Sequence, residues 1–244
     1  MIDGLLKTDE ALLVSINGVL KTLSLSNETG QEALRLYREN KLDELENLLT
    51  MKEQTVKGLK GFVVNHGIVY INDRPLPELL SQRMVQARRN NESITPHINF
   101  WKRLCRNPSR HSVVELFQCL EVNHHPIMPN GCFIAWKGVN KDFTDTWTGL
   151  QDYTPGNSPE MERNEVNDDD HNTCADGYHV ASYKFAVGWA KQHKGRLIMV
   201  IVDPKDVVTV PTDGQFQKIR VCKFTSLKEV PLNDEPCLDN VYKG

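Results

Sequence analysis

Five residues in the second half of the chain carry side chains suited to meeting a small molecule: Lys137, Tyr178, His179, Ser182 and Arg220. Together they offer an ammonium, a phenol, an imidazole, a hydroxyl and a guanidinium. Such a set makes polar and aromatic contacts to a ligand. It does not make a reaction centre. No nucleophile stands at motif spacing from a base, and no Gly-rich loop of the phosphate-cradling type opens a helix. His179 would titrate near neutrality at its ordinary pKa, but the sequence gives it no partner. These residues are therefore read as ligand-binding, with no catalytic residue, cofactor or metal expected.

Other patterns in the sequence bear on metal chemistry. Asp168-Asp169-Asp170 offers the carboxylate oxygens a hard cation prefers, without the spacing of an EF-hand loop. His171, Cys174 and His179 form a loose H-x2-C-x4-H array that lacks a fourth ligand. His124 and His125 are adjacent, and neighbours on an extended chain point to opposite sides. Cys105, Cys119, Cys132, Cys174, Cys222 and Cys237 include no CxxC pair and are expected as buried thiols. Charge is uneven along the chain. From Arg83 to Arg110, the basic residues Arg83, Arg88, Arg89, Lys102, Arg103, Arg106 and Arg110 face one acid, Glu92. They form a candidate basic surface for nucleic acid or an anionic membrane. From Asp152 to Asp176 the balance reverses, to eight acids against Arg163.

The elements that must position these residues are legible as short patterned runs. Leu12–Ile16 and Gly18–Leu20 predict a hairpin around Asn17-Gly18, and Phe62–Val64 and Ile68–Ile71 a second around 65–67. Helices are expected over 32–37 and 42–49, with Leu42, Leu45, Leu48 and Leu49 as a core stripe. Three more follow: one opened by Pro77, one N-capped by Thr95 ahead of Pro96, and one capped by Ser109 or Ser112. Residues 123–131 read as a linker. Beyond it, the apolar runs 132–139, 178–181, 196–202, 206–210 and 218–224 predict a sheet. Ser182 caps its one clear helix. The expected fold class is α+β. A small N-terminal α/β unit (1–58) precedes a hairpin plus helical segment (59–122). A mostly antiparallel β-sheet domain with one main helix (131–244) completes the chain.

A length of 244 residues, 39% hydrophobic and 25% charged content and a net charge of -3 are those of a globular protein with no global pull toward polyanions. No run reaches the roughly 18 apolar residues of a membrane helix. The N-terminal residues lack a signal-peptide pattern, which places the chain in a cytosol.

Several ordered blocks resemble the bacteriophage rIIB-like family over residues 59–226. Phe133-Ile134-Ala135-Trp136-Lys137-Gly138-Val139 is similar to its FxAYKxV strand. Thr173-Cys174-Ala175-Asp176-Gly177-Tyr178-His179-Val180-Ala181 is similar to its TCSxGLHVA block. Asp203–Pro211 resembles its NPxDVVxVPxD segment, and Lys218-Ile219-Arg220 its last basic triplet. Tyr178 and Trp136 stand where the family commonly has Leu and Tyr. Both changes keep a large apolar side chain. The resemblance implies an accessory protein of the infected bacterium, in the host cytoplasm or peripheral to its inner membrane. It implies a role by binding, in counter-defence or in control of lysis and exclusion. Its candidate partners are a membrane-associated rIIA-like phage protein, a host defence factor or a nucleotide-type small molecule. A second likeness joins Gly177–Ala186 to the strand-helix block of ADP-ribosyltransferase-like folds. It implies an NAD-nucleotide site, with Glu229 as the late acidic candidate.

Overall fold

The computed structural model describes residues 2–16, 19–26, 28–49, 62–65, 68–71, 74–90, 92–172, 174–211 and 217–232. The turns at 17–18 and 66–67 and the thiol of Cys237 lie outside them. The chain divides into two compact units, Met1–Val85 and Gln86–Gly244. The class is α+β, with six α-helices and antiparallel sheets among the described residues.

In the first unit, strands β1 (Ile2–Lys7), β2 (Ala11–Ile16) and β3 (Val19–Ser24) form an antiparallel meander. Two-residue periodicity turns Leu12 and Val14 to one face, where both are fully buried. Helices α1 (Glu28–Arg38) and α2 (Leu42–Leu49) cover that face with Ala33, Leu34, Leu36, Leu45 and Leu49. The leucine stripe is core at Leu45 and Leu49, whereas Leu42 at its start is exposed. A second meander joins β4 (Phe62–Asn65), β5 (Ile68–Ile71) and β6 (Arg74–Pro75). The buried Ser81 hydroxyl accepts the Val69 amide at 3.0 Å, tying the start of α3 (Glu78–Arg89) to β5.

The second unit is built on a six-stranded, wholly antiparallel sheet. Its strands are β7 (Phe133–Val139), β8 (Tyr178–Ala181), β9 (Arg196–Val202), β10 (Val207–Thr209), β11 (Lys218–Val221) and β12 (Thr225–Val230), in the order β10-β11-β8-β7-β9-β12. β7 and β9 lie at its centre with both faces covered. That is why they read as unbroken apolar runs rather than as alternating ones. Helix α6 (Tyr183–Gln192) packs on Ile134, Trp136, Leu197 and Met199. It comes so close that a Cβ on Gly138 would lie 2.3 Å from the Trp189 ring. Helices α4 (Thr95–Leu104) and α5 (Arg110–Val122) are fixed by buried polar side chains. Asn107 donates to the carbonyls of Pro204 and Val207 at 2.8 and 2.7 Å, and Ser112 donates to that of Val208 at 2.7 Å. Among the described residues no helix is long and apolar enough to cross a membrane.

Three expectations are corrected. α4 begins at Thr95 itself, with Ile94 at the cap position and no side-chain cap, because Pro96 sets the first turn without one. Of the cysteines, Cys105 and Cys174 are exposed, since they fall on a helix end and in a polar loop rather than in apolar runs. Residues 123–131 are packed rather than a free linker. Ile127 bridges Phe133, and His125 is buried against Phe133 and Trp136.

The His125 Nδ1–H donates to the Ile134 carbonyl at 2.9 Å, which leaves Nε2 buried without a hydrogen-bond partner. Burial therefore pulls its pKa down to about 4, against the opposing pull of the Ile134 carbonyl. The neutral ring's contribution to stability is complete above about pH 6.5, the unfolded value, and is lost as pH falls toward and through 4. Between pH 7 and 4 the wild type should lose up to about 3 kcal/mol more than His125→Gln does, read from urea midpoints. Parallel pH slopes for the two would show that the ring titrates normally.

Candidate functional site

Trp136 pairs with Ala181 across β7 and β8, and His179 pairs with Arg220 across β8 and β11. Ala181 packs with α6, so alternation places His179 and Arg220 on that same face. Tyr178 and Lys137 fall on the opposite one. The five sequence-predicted residues are thus divided between two sides of one sheet.

On the side away from α6, Lys137 Nζ donates to the His179 carbonyl at 2.8 Å and lies 4.8 Å over the Tyr153 ring. Tyr153, Tyr178 and Phe224 meet one another at centroid distances of 5.5 to 6.2 Å and make an aromatic box for the ammonium. Burial pulls the Lys137 pKa down to about 8, with Asp145 opposing. Burial raises the Tyr178 pKa, and Asp145 adds to the rise. The Tyr178 hydroxyl donates to Gln151 Oε1 at 3.4 Å. The ring faces on which a ligand would stack are therefore already turned to one another and to the protein's own cation.

On the other side Arg220 is fully buried. Its guanidinium donates to the carbonyls of Asn167 at 2.6 Å and Asp169 at 3.3 Å, and to that of Asn172. Its Nε meets His179 Nε2 at 3.4 Å. His179 accordingly does not titrate near neutrality. Burial, together with Lys137, Arg220 and Lys218, pushes its pKa down to about 3. Ser182 is spent locally: its hydroxyl accepts the Phe185 amide at 3.4 Å and caps α6.

The basic segment is not one uniform surface. Arg103 pairs with Asp203 and donates from Nε to the Asn130 carbonyl at 2.7 Å. Arg83 is half-buried, while Arg88, Arg89, Lys102, Arg106 and Arg110 are exposed. Glu229 is held by Arg196 at 2.9 Å on the edge strand β12, with β9 and β7 between it and β8.

Sequence reasoning did not single out Tyr153, Phe224, Asp145, Trp147 or Leu150 as functional. Asp145 organises the loop that displays two apolar side chains, Trp147 at 83% and Leu150 at 84% exposure. Its carboxylate accepts the amides of Trp147, Thr148, Leu150 and Gln151 and the Thr148 hydroxyl, at 2.6 to 3.1 Å. The local signal was an Asp followed three residues later by Thr, a pattern that closes side-chain-to-backbone turns.

A sequence model described as Bacteriophage T4 protein rIIB matches residues 5–234. The chain belongs to the rIIB family. Protein rIIB of Enterobacteria phage T4 is 29% identical over 219 residues, covering 89% of this chain and 70% of that protein. The family match reaches well N-terminal of the 59–226 stretch whose motifs carried the resemblance, and takes in β2, β3 and the end of β1. No solved structure matches. Within the rIIB family frame, the box around Lys137, the Asp145 loop and the Arg220 staple all lie inside the matched region.

Proposed function

We propose that this rIIB-family chain acts in the phage-infected bacterium by binding a protein partner through the Trp147 and Leu150 loop. It serves there in control of lysis and exclusion. The observation that carries this reading is the display of two large apolar side chains on a backbone fixed by Asp145. An exposed Trp on a rigid support is the typical anchor of an interface, because little conformational entropy is lost when it docks. The exposed Asp142 and Asp152 flank the loop, so the partner fits best with an apolar socket rimmed by basic groups. The membrane-associated rIIA-like protein of the same phage is the first candidate. Binding rather than catalysis is supported by the engagement of the predicted ligand residues: Arg220 with a loop, Ser182 with a helix cap and Lys137 with its box.

The test is capture of the rIIA-like protein from infected cells by the tagged chain, compared with Trp147→Ser/Leu150→Ser. Both positions are exposed, so the variant should keep its fold, checked by circular dichroism. Retention should fall at least about tenfold, given the 2 kcal/mol or more typical of a Trp anchor. Equal capture by both proteins, or turnover of NAD by the purified chain, would overturn the reading.

A further inference from the structure

His111 and Glu115 lie one turn apart on α5, and the 167–172 loop brings Asp170 to them from across the fold. One ligand atom from each of the three lies within 4.8 Å of the others. His111 Nε2 stands 3.1 Å from Glu115 Oε1, while Glu115 Oε2 is buried with no hydrogen-bond partner. Asp170 Oδ1 is also held by His171 Nδ1 at 2.6 Å. The position of the loop is set from beneath by Arg220, which grips the carbonyls on either side of Asp170.

We propose that His111, Glu115 and Asp170 form a binding site for a divalent transition-metal ion of the zinc class, with His171 orienting Asp170 from outside. One imidazole and two carboxylates are a ligand set zinc accepts, and the fourth position falls to solvent. The imidazole argues against magnesium and calcium, which take oxygen ligands. Zinc holds nitrogen and oxygen donors at about 2 Å, so its ligands sit roughly 3.4 Å apart. The half-exposed His111 ring can close the remaining gap by a side-chain adjustment. A bound dication gives the buried Glu115 Oε2 a partner. The acidic stretch, for which the sequence predicted no metal, thus supplies one residue to a mixed site completed by a helix 55 positions earlier.

The experiment is a calorimetric titration of the full chain, stripped with chelator, with zinc chloride and separately with magnesium chloride. A cobalt(II) absorption spectrum accompanies it. One zinc ion per chain should bind, magnesium should not compete, and the cobalt spectrum should lack a thiolate charge-transfer band. His111→Ala and Asp170→Asn should each weaken zinc at least about tenfold. His193→Ala, which alters a ring stacked on Trp189, should leave it unchanged. His111 is exposed, so its variant decides the matter even where Asp170→Asn fails to fold. No zinc binding, affinity indifferent to His111→Ala, or a thiolate band placing the ion on cysteine would each overturn the proposal.

Discussion

Arg220→Ala should destabilise the Gln86–Gly244 unit by about 3–5 kcal/mol, seen as a fall in the urea midpoint at unchanged slope. A fully buried arginine stays charged at any accessible pH, so it must be solvated by the protein itself. Here the carbonyls of Asn167, Asp169 and Asn172 do so. Removing the side chain strips those acceptors of their donors and opens a void beneath the loop, and the two losses add. Gly177 shows how closely the stem is fitted. Its φ is +128°, and a Cβ there would lie 2.6 Å from Val166 Cγ1 and 2.7 Å from Arg220 Cγ. Gly177→Ala should therefore be destabilising in its own right. Its effect should be smaller by about 1 kcal/mol in the Arg220→Ala background, where one of the two obstacles is gone. Strict additivity would mean that the two sites do not touch, and a loss under 1 kcal/mol for Arg220→Ala would mean that water can replace the guanidinium.

The same contacts explain what the sequence disclosed and what it withheld. Val200 and Ile201 read as strand because burial on both faces demands apolar, largely β-branched runs, and that demand is local. Ser109 and Ser182 read as caps because a cap is settled within three residues. The aromatic box is different in kind. Tyr153 and Phe224 are 71 positions apart and meet only because the 142–156 loop and the connection from β11 to β12 both reach Lys137. No periodicity encodes that meeting. His125 was hidden for a related reason: it sits among Pro and Asn in a stretch with no apolar rhythm, yet the end of β7 covers it. Lys137, Tyr178, His179 and Arg220 were read together as ligand-binding residues of one β-rich domain. Alternation along the strands then sends the first two to one face and the last two to the other. That division follows from the register of Trp136 with Ala181, which a sequence does not state.

Asp145→Asn should unfix the 145–151 loop almost as completely as Asp145→Ala, at about 3 kcal/mol, although it changes the side chain by one atom. Oδ1 accepts the Thr148 hydroxyl and the amides of Leu150 and Gln151, while Oδ2 accepts the amides of Trp147 and Thr148. An amide side chain offers one acceptor oxygen and one NH2 group. Whichever way it turns, two or three donors then face a donor. Hydrogen bonds to a charged acceptor contribute about 1.5–3 kcal/mol each, and a shared acceptor makes them less than additive. Burial alone would raise the Asp145 pKa. The bonds from Thr148, Gln151 and Leu150 outweigh it and hold the carboxyl far below the usual carboxylate range. Its contribution is therefore complete above about pH 4, the unfolded value, and is lost as pH falls through the folded one. Hydrogen exchange at the amides of Thr148, Leu150 and Gln151 reads the loop directly. It should quicken at least about a hundredfold in Asp145→Asn at pH 7, the change expected when about 3 kcal/mol of local stability is lost. Capture of the rIIA-like partner should weaken as well, even though Trp147 and Leu150 are untouched, because a mobile anchor must be ordered before it can dock. Faster exchange with undiminished capture would separate the two effects and show that the partner reads the side chains without needing the fixed backbone. Unchanged exchange would mean that the loop is held by its other bonds, such as Gly149 N to the Asp145 carbonyl at 3.1 Å.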